Sequence, residues 1–241
     1  IERSARIAAI EASAAGQNWT FAPMVDISHD PRWGRVMEGA GEDPYLGGKI
    51  AQARVRGFQG NDLSQPDTIA ATAKHFAAYG EVIAGREYNN VDISRRKLWE
   101  THLPTFKAAL DAGVKTFMNA FNEFEGVPAS ANTYLIDDIL RGQWAFDGVL
   151  VSDWDSIGAM VTSGVIEDDA GTAEMALEAG TDIDMESDVF VKYLPELVEQ
   201  GRVDEALIDK AVKRVLHLKF ELGLFDDPYQ YIDAEREKAL I

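Results

Sequence analysis

The amino-acid sequence predicts an α/β fold built around a mostly parallel sheet. Short apolar, strand-like runs alternate with longer helix-like segments, and each run ends in polar residues. With 241 residues and a hydrophobic content of 46%, the chain can bury one substantial core. The predicted strands are 19–27, 69–76, 114–121, 148–154 and 181–185. The predicted helices are 3–14, 44–59, 94–112, 133–143, 170–179 and 203–222.

Two helices have boundaries that the sequence explains. Ser94 can cap helix 94–112, whose apolar residues lie roughly on one face, and Gly113 ends it. Helix 203–222 has apolar residues mainly three and four positions apart, and a glycine follows it. Pro228 and the tyrosines after it indicate a linker or tail. We therefore predict a main domain over 1–225 and an exit segment over 226–241.

The number of predicted strands bears on the architecture. Five strands are fewer than the eight of a (β/α)8 barrel, or TIM barrel. The chain starts at Ile1 without an initiator Met, which suggests a processed or truncated chain. We expect an α/β domain of the TIM-barrel type that is incomplete at its N-terminus. The remaining strands would either precede Ile1 or lie in segments predicted as loops.

Charge and composition exclude several classes of partner. Forty-one acidic and 23 basic residues give a net charge of −18, which disfavours nucleic acid and anionic membranes and is compatible with a neutral substrate such as a sugar. No apolar run approaches the roughly 20 residues that span a bilayer. The chain has no cysteine, which leaves the compartment open, and no signal peptide is visible. Metal-binding spacings are also absent, so we predict neither a metal nor a cofactor.

Polar residues at strand ends are the first candidates for chemistry, because functional groups of α/β barrels lie there. They are Asp26, Lys74, His75, Asn119, Asn122, Asp153, Asp184 and Glu186. Asp153 stands out because Trp154 follows it. A sugar ring can stack on an indole while a carboxylate lies beneath its anomeric carbon. The alternative is that Asp153 caps the following helix.

Lys74 and His75 end the run 69–76. Adjacent residues of a regular strand point to opposite faces, so both can serve one site only if the strand ends in a bulge. A strand-end lysine also suits an imine-forming enzyme such as an aldolase. An ordinary ion pair for Lys74 and a hydrogen bond for His75 are the simpler possibility.

The segment 30–44 is long and rich in glycine, as expected of an ordered functional loop. Arg35 in this loop can bind vicinal hydroxyl groups through its planar guanidinium, or it can pair with Glu38 or Glu42 and stiffen the loop. The segment lacks the P-loop lysine pattern and the GxGxxG spacing of nucleotide-binding loops.

These motifs, taken in order, resemble glycoside hydrolase family 3 over nearly the whole chain, and most resemble its bacterial periplasmic β-glucosidase branch. The motifs are Phe21-Ala-Pro-Met-Val-Asp-Ile27, Asp30-Pro-Arg-Trp-Gly-Arg35 with Gly41-Glu-Asp-Pro44, Lys74-His-Phe-Ala-Ala-Tyr-Gly80 with Gly85-Arg-Glu-Tyr-Asn89, Met118-Asn-Ala-Phe-Asn122 with Gly126-Val-Pro128, Val151-Ser-Asp-Trp154 and Leu218-Lys-Phe-Glu-Leu-Gly-Leu-Phe-Asp-Asp-Pro-Tyr229.

The resemblance implies a role for each site residue. Asp153 is the expected nucleophile, which forms a covalent glycosyl-enzyme. Arg35, Lys74 and His75 are expected to hold the sugar hydroxyls in subsite −1, and Trp154 to form a wall of the pocket. Two further residues, Met118 and Phe121, belong to the strand-end segment that lines the same subsite in the family.

The sequence departs from the family in three respects. Members usually supply a sugar-binding Asp from an upstream Gly-x-Asp-x-x-His-Gly segment, and a Glu acid/base from a downstream α/β sandwich domain; neither is present. The hexosaminidase branch carries an acid/base His in a Lys-His-Phe-Pro-Gly-His-Gly loop, whereas this chain has Tyr79 at that histidine position. Asp155 also stands where a Gly often follows the Ser-Asp-Trp motif.

The expected activity is hydrolysis of terminal β-D-glucosyl residues with retention, on a small β-glucoside or oligosaccharide. A retaining enzyme needs two carboxyl groups about 5 to 5.5 Å apart, and this sequence offers one, so the chain alone is expected to be weakly active or inactive. A β-xylosidase or arabinofuranosidase of the same family and an inactive fragment are the alternatives. The resemblance implies a periplasmic or secreted protein, with a cytoplasmic location as the alternative.

Overall fold

The structure is a computed structural model that describes residues 1–240. Its central sheet has three parallel strands in the order β1 (Thr72–Phe76), β2 (Thr116–Asn119) and β5 (Val149–Val151). A short antiparallel pair, β3 (Glu123–Phe124) and β4 (Val127–Pro128), follows β2.

Single parallel bridges extend this sheet on both sides. Met24 pairs with Lys74 on the β1 side, and Ile183 pairs with Val151 on the β5 side. The five predicted runs therefore lie side by side in parallel, although 19–27 and 181–185 form isolated bridges rather than strands. The α/β class is confirmed. A closed eight-stranded barrel goes beyond the five parallel segments found in residues 1–240.

The α-helices are α1 (Glu2–Ala14), α2 (Pro44–Gln59), α3 (Arg95–Lys97), α4 (Leu103–Asp111), α5 (Asp169–Ala179), α6 (Val189–Glu199), α7 (Glu205–Glu221) and α8 (Ala234–Leu240). Two segments are π-helical, Leu98–His102 between α3 and α4, and Tyr134–Gln143. Each of the six predicted helical segments is helical in the structure. Helices α6 and α8 are additional, and α6 has Pro195 in its interior, which argues against a helix when the sequence is read alone.

The predicted boundaries of the helical segment 94–112 are confirmed. The Ser94 hydroxyl accepts a hydrogen bond from the Lys97 amide at 3.2 Å. At the other end Gly113 adopts a φ of +83°, in the left-handed region that glycine enters without strain. This boundary matters for the site because it sets where the chain enters β2.

The main core lies between the sheet and the helices on one of its faces. Phe76 of β1 makes an edge contact with Phe106 of α4, with ring centroids 5.3 Å apart, and Phe117 of β2 contacts Phe146 at 4.7 Å. All four side chains are buried. Large rings packed at these distances contribute both buried area and preferred ring geometry, so they fix β1 and β2 against α4.

A buried ion cluster fastens the last parallel segment to β5. Asp182 accepts hydrogen bonds from Arg141 and Arg214, each at 2.7 Å, and from the Leu150 amide at 2.8 Å. Arg141 also donates to the carbonyl oxygens of Phe146 and Gly148. The cluster therefore holds β5 and the segment after α5 in register, directly below the loop that carries Asp153.

The segment after α7 packs back onto the body of the molecule. Tyr231 is buried, and its hydroxyl group donates to the carbonyl oxygen of Leu222 at 3.0 Å. Ile232 forms an antiparallel bridge with Ala15, at the end of α1. The predicted boundary between 1–225 and 226–241 remains a prediction.

Candidate active site

The carboxyl ends of the parallel segments bring the predicted residues to one edge of the sheet. Lys74 and His75 lie in the last part of β1, Met118 lies in β2, and Asp153 follows β5 by two residues. The pairing of β1 with β2 shifts register between Ala73 and Phe76. A register shift at this place is compatible with the strand-end bulge that would let both Lys74 and His75 face one site.

Asp153 has one anchored and one open carboxylate oxygen. Its Oδ1 accepts a hydrogen bond from the Trp154 amide at 2.7 Å. Its Oδ2 makes no hydrogen bond with the described residues and lies 3.4 Å from Nε2 of His75. Burial raises the pKa of Asp153, against the opposing effects of His75, the Trp154 amide, Lys74 and Arg35. The side chain does not cap a helix, since Asp168 caps the next α-helix, α5.

The loop that carries Asp153 is fixed from below. The Ser152 hydroxyl accepts a hydrogen bond from the Met185 amide at 2.8 Å, and the Asp155 amide donates to the Met185 carbonyl oxygen at 2.9 Å. Ser156 and Ser130 are joined through their hydroxyl groups at 2.8 Å. Contacts on both sides of Asp153 thus limit its movement, as a preorganised reactive group requires.

His75 is buried and is held by a carboxylate from the neighbouring segment. Oδ2 of Asp26 accepts hydrogen bonds from the His75 amide at 2.9 Å and from its ring Nδ1 at 2.8 Å. Since this carboxylate accepts at Nδ1, that nitrogen carries a proton and Nε2 faces Asp153. Sequence analysis identifies Asp26 only as a polar strand end, and its role depends on the pairing of Met24 with Lys74.

Lys74 is half-buried among charges of both signs. Burial lowers its pKa, and the nearby Arg35 charge lowers it further, while Glu38, Asp153 and Asp26 act in the opposite direction. The ammonium group therefore lies in the same small region as the Asp153 carboxylate and the Arg35 guanidinium. A cluster of this kind presents several hydrogen-bond donors to a hydroxylated ligand.

Arg35 is held by carboxylates on two sides. Its Nε and Nη2 donate to Glu38 at 2.7 and 3.1 Å, and its Nη1 lies 3.8 Å from Glu87. Burial disfavours its charge, but the hydrogen bonds to Glu38 and the charges of Glu38 and Glu87 together outweigh burial and raise the pKa of Arg35 above its usual value. A guanidinium has five N–H donors, so donors remain for a ligand after Glu38 is bound.

Glu87 and Tyr79 support Arg35 and were not predicted as site residues. Glu87 accepts hydrogen bonds from the Tyr79 hydroxyl at 2.6 Å and from the Trp33 indole at 2.5 Å. The Tyr79 ring lies under the Arg35 guanidinium at 5.7 Å. Their positions depend on Gly80, where an added Cβ would lie 2.2 Å from the Ile27 carbonyl oxygen. In the sequence, the motifs that contain Gly80 and Gly85 were the features that could have indicated Tyr79 and Glu87 as site residues.

An open cleft of about 670 Å³ borders this edge of the sheet. Trp154, Phe121 and Tyr88 form its aromatic part, and Asp155 and Glu123 are among its polar lining residues. Trp154 is 63% exposed, which is unusual for so large an apolar side chain. Asp153 is not one of the lining residues, although its neighbour Trp154 is.

The predicted residues are thus brought together to different degrees. Asp153 lies 3.4 Å from His75 and is affected by the charges of Lys74 and Arg35. Its carboxylate accepts a hydrogen bond from the Trp154 amide. Phe121 lies beside Tyr79, with ring centroids 5.6 Å apart. Met118 is buried in β2, paired with Val151 of β5.

No group of three or more His, Asp or Glu side chains in 1–240 is arranged to hold a metal ion. None of the helices in this range is both long enough and apolar enough to span a membrane.

An α/β fold with a strand-end carboxylate among cationic groups, bordered by an exposed indole, is typical of carbohydrate-active proteins. The chain belongs to glycosyl hydrolase family 3, since the model of that family's N-terminal domain matches residues 1–218.

Relatives of established name are similar over most of this chain. The periplasmic beta-glucosidase of Salmonella typhimurium is 42% identical over 227 residues, which cover 94% of this chain and 30% of the relative. A putative beta-xylosidase of Formosa agariphila is 40% identical over 232 residues, which cover 95% of this chain and 30% of that protein. The chain therefore spans about 30% of the length of these relatives.

Solved structures show the same fold. The crystal structure of a beta-glucosidase from Listeria innocua in complex with laminaribiose matches this chain with a TM-score of 0.97 at 43% identity. The match covers 100% of this chain and 34% of the Listeria chain. Another structure of the Listeria enzyme, in complex with isofagomine, matches with a TM-score of 0.96.

Proposed function

We propose that this chain carries the nucleophile and most of the sugar-binding subsite of a retaining β-glucosidase. The observation that carries the proposal is the geometry of Asp153. One of its oxygens is fixed by the Trp154 amide, and the other is open and faces His75. A carboxylate held in this way, next to the charges of Lys74 and Arg35, is suited to attack an anomeric carbon.

The proposed reaction proceeds in two steps. Oδ2 of Asp153 attacks C1 of a terminal β-D-glucosyl residue, the bond from C1 to the leaving oxygen breaks, and a glycosyl ester forms. Water then cleaves the ester, and the sugar leaves with its configuration retained. Lys74 and Arg35 donate hydrogen bonds to the sugar hydroxyls, and His75 binds a hydroxyl group through Nε2, which accepts because Nδ1 carries the proton. Trp154 forms a wall of the pocket, and Met118 and Phe121 line the same region.

The leaving oxygen needs an acid, and the three carboxylates next to His75 and Arg35 are already engaged. Asp26 binds His75, Glu38 binds Arg35, and Glu87 binds Tyr79 and Trp33. We propose that the acid/base is a carboxyl group from a second, α/β sandwich domain outside this chain. In this proposal, residues 1–225 form most of a (β/α)8 barrel whose other strands, with a further sugar-binding Asp, are upstream, and 226–241 lead toward the second domain.

The proposed substrate is a small β-glucoside or oligosaccharide. The names of the Salmonella and Listeria relatives and the laminaribiose complex support a glucosyl unit. A β-xylosidase or arabinofuranosidase is the second candidate, since relatives named beta-xylosidase are 37 to 40% identical. The ratio of kcat/KM for the aryl β-glucoside to that for the aryl β-xyloside distinguishes the two. A ratio below one would favour the second candidate.

Imine chemistry at Lys74 is the rival from another reaction class. A lowered pKa of a half-buried lysine is compatible with it. Family membership and the charges of Asp153 and Glu38 beside Lys74 favour the hydrolase. Borohydride in the presence of a carbonyl substrate would trap an imine on Lys74, and we expect no such adduct.

We also propose that the protein acts outside the cytoplasm, in the periplasm or in secreted form. The name of the Salmonella relative supports this location. Immunodetection in fractionated cells of the source organism tests it, and a purely cytoplasmic signal would contradict it.

Covalent labelling tests the nucleophile. A 2-deoxy-2-fluoro-β-glucoside with a good leaving group forms a glycosyl ester that hydrolyses slowly, so mass spectrometry of peptides locates the label. We expect the label on Asp153 in the full-length protein and no label in the Asp153→Asn variant. The matched control is Asp147→Asn, which should label normally, because Asp147 is exposed and lies just before the N-terminal end of β5. A label on another carboxylate would overturn the assignment.

A further inference from the structure

His102 lies in a buried position next to the site and has no hydrogen-bond partner. It is 1% exposed, at the junction of the π-helical turn and α4. Neither ring nitrogen makes a hydrogen bond with the described residues, and the same holds for Oδ1 of Asp26. Buried polar groups without partners are costly, so a donor and an acceptor left in the same region are expected to serve one another.

The backbone around His102 is joined to the segment that carries Asp26. The Thr105 hydroxyl oxygen lies 2.7 Å from the Val25 carbonyl oxygen and 3.1 Å from that of His102. Val25 directly precedes Asp26. This contact places the start of α4 against the strand end, and the Asp26 charge acts on the His102 ring.

The groups that face His102 come from several elements. Oε1 of Glu81 lies 3.9 Å from Nε2 of His102, but Glu81 already accepts hydrogen bonds from His29 and Lys97, each at 2.6 Å. The charges of Glu81 and Asp26 favour protonation of His102, whereas Lys97 and His29 oppose it. Burial outweighs the attractive charges and lowers the pKa of His102 to about 4. The ring is therefore neutral near pH 7 and has one N–H to donate.

We propose that His102 is a positioning residue of the candidate active site, whose ring N–H donates to Oδ1 of Asp26 through one bridging water. Oδ2 of Asp26 already accepts both hydrogen bonds from His75. With both oxygens bound, the carboxylate cannot rotate, and His75 keeps Nε2 directed at Asp153. The chain of contacts is His102, Asp26, His75 and Asp153. The effect on turnover rests on the proposed function, whereas the contacts themselves rest on the geometry described above.

Two substitutions separate hydrogen bonding from packing. His102→Leu removes the donor, and His102→Gln keeps an amide donor on a side chain of similar length. In the full-length protein we expect His102→Leu to lower kcat/KM for an aryl β-glucoside about tenfold, the lower end of the losses seen when a partner that orients a ligating group is removed. We expect His102→Gln to stay within about threefold of wild type. Equal losses in both variants would assign the effect to packing and overturn the proposal.

A double-mutant cycle tests whether His102 acts through Asp26. Residues that act through one chain of contacts have non-additive effects. Asp26→Asn combined with His102→Leu is therefore expected to lose no more activity than Asp26→Asn alone. Fully additive losses would overturn the proposal. His217→Gln is the matched control, because this histidine on α7 has a side chain that is 64% exposed.

A spectroscopic measurement is independent of turnover. The ¹⁵N chemical shifts of the His75 ring report which nitrogen carries the proton, and we expect His102→Leu to shift them and His217→Gln to leave them unchanged. Unchanged His75 signals in His102→Leu would overturn the inference. If the wild-type protein hydrolysed no glycoside, the proposed function would fail, and the His75 signals would still decide whether this chain of contacts exists.

Discussion

Nε2 of His75 lies 3.4 Å from Oδ2 of Asp153, and the other ring nitrogen of His75 is bound to Asp26. Three carboxyl-end residues, from three different segments of one parallel sheet, thus form a continuous row. Each member limits the freedom of the next. The orientation of the Asp153 carboxylate therefore depends on His75 and, through it, on Asp26.

Removal of one charge from this row is expected to reduce activity without unfolding the protein. Asp26→Asn replaces a carboxylate by an amide whose NH₂ group can face the Nδ1 proton of His75, so the ring is free to reorient. We expect kcat/KM to fall roughly 10- to 100-fold, with most of the loss in kcat. Steady-state kinetics on an aryl β-glucoside measure this effect.

The control for this substitution is Asp62→Asn. Asp62 accepts hydrogen bonds in a surface turn from Ser64 and Gln65, away from the site. It should leave kcat/KM unchanged. If Asp26→Asn behaved like Asp62→Asn, the proposed orientation of His75 would be wrong.

Replacement of Asp153, the proposed nucleophile, is expected to stabilise the fold while it abolishes activity. Burial raises the pKa of Asp153, so the folded state favours the uncharged acid. The stability associated with this preference is fully present below the unfolded pKa and is lost as pH rises through the folded pKa. At pH 7 the ionised carboxylate therefore opposes folding. Asp153→Asn should raise Tm by a few degrees at pH 7, and the gain should shrink as the pH is lowered toward 4.

Thermal unfolding followed by circular dichroism measures this gain. Asp147→Asn provides the comparison, because Asp147 is exposed before the opposite end of β5 and should not change Tm. A lower Tm for Asp153→Asn at pH 7 would show that the ionised carboxylate stabilises the fold.

Much of this arrangement could be predicted from sequence, for an identifiable reason. Apolar runs with polar ends predict parallel strands, and the carboxyl ends of parallel strands meet at one edge, which brings Lys74, His75 and Asp153 together. The role of Asp26 could not be predicted, because it depends on the register between Met24 and Lys74. The same limit applies to Glu87, which reaches Trp33 across 54 positions of sequence. Contacts between distant segments have no local pattern in the sequence.

Arg35 is expected to act through its planar geometry as well as its charge. A lysine at this position retains the charge, but its three N–H donors share one nitrogen and cannot reproduce the planar pair of hydrogen bonds to Glu38. Arg35→Lys should raise KM about tenfold or more, with a smaller change in kcat, if the guanidinium binds the sugar in the ground state.

The matched control for Arg35→Lys is Arg95→Lys. Arg95 donates two hydrogen bonds to Glu125 with the same paired geometry, at 2.8 and 2.7 Å, on the exposed surface. Exposed pairs contribute little to stability, so this variant should match wild type in both KM and Tm. An unchanged KM for Arg35→Lys would remove Arg35 from the proposed subsite.

Trp154 is expected to matter for binding and not for folding. The residue is 63% exposed, so its truncation leaves no buried cavity. Trp154→Ala should raise KM for aryl glucosides roughly tenfold and leave Tm within about 1 °C of wild type. We expect the stacked sugar to contribute about as much as a base stacked on an aromatic ring, about 1–3 kcal/mol. Phe220→Ala removes an aromatic side chain of 67% exposure from α7 and should affect neither quantity. Equal KM values for the two variants would exclude a stacking role for Trp154.

The buried His102 is expected to make the protein less stable as the pH falls from neutral. Burial lowers the pKa of His102 from 6.5 to about 4, so between these values the unfolded chain binds a proton that the folded protein does not. The contribution of His102 to the free energy of unfolding is fully present above pH 6.5 and declines as the pH falls toward 4. Below that value it no longer changes with pH. A shift of this size corresponds to about 3 kcal/mol at most. His102→Gln, which cannot titrate, should show a correspondingly flatter dependence of the unfolding free energy on pH. Urea denaturation at pH 7, 6 and 5 measures the difference between the two proteins, in which the contributions of the carboxylates common to both cancel.

The control for this measurement is His217→Gln, whose side chain in the wild-type protein is 64% exposed; it should keep the wild-type slope. The same slope in His102→Gln and wild type would mean that His102 takes up its proton in the folded state, and that the ring is not the neutral donor on which its proposed contact with Asp26 depends.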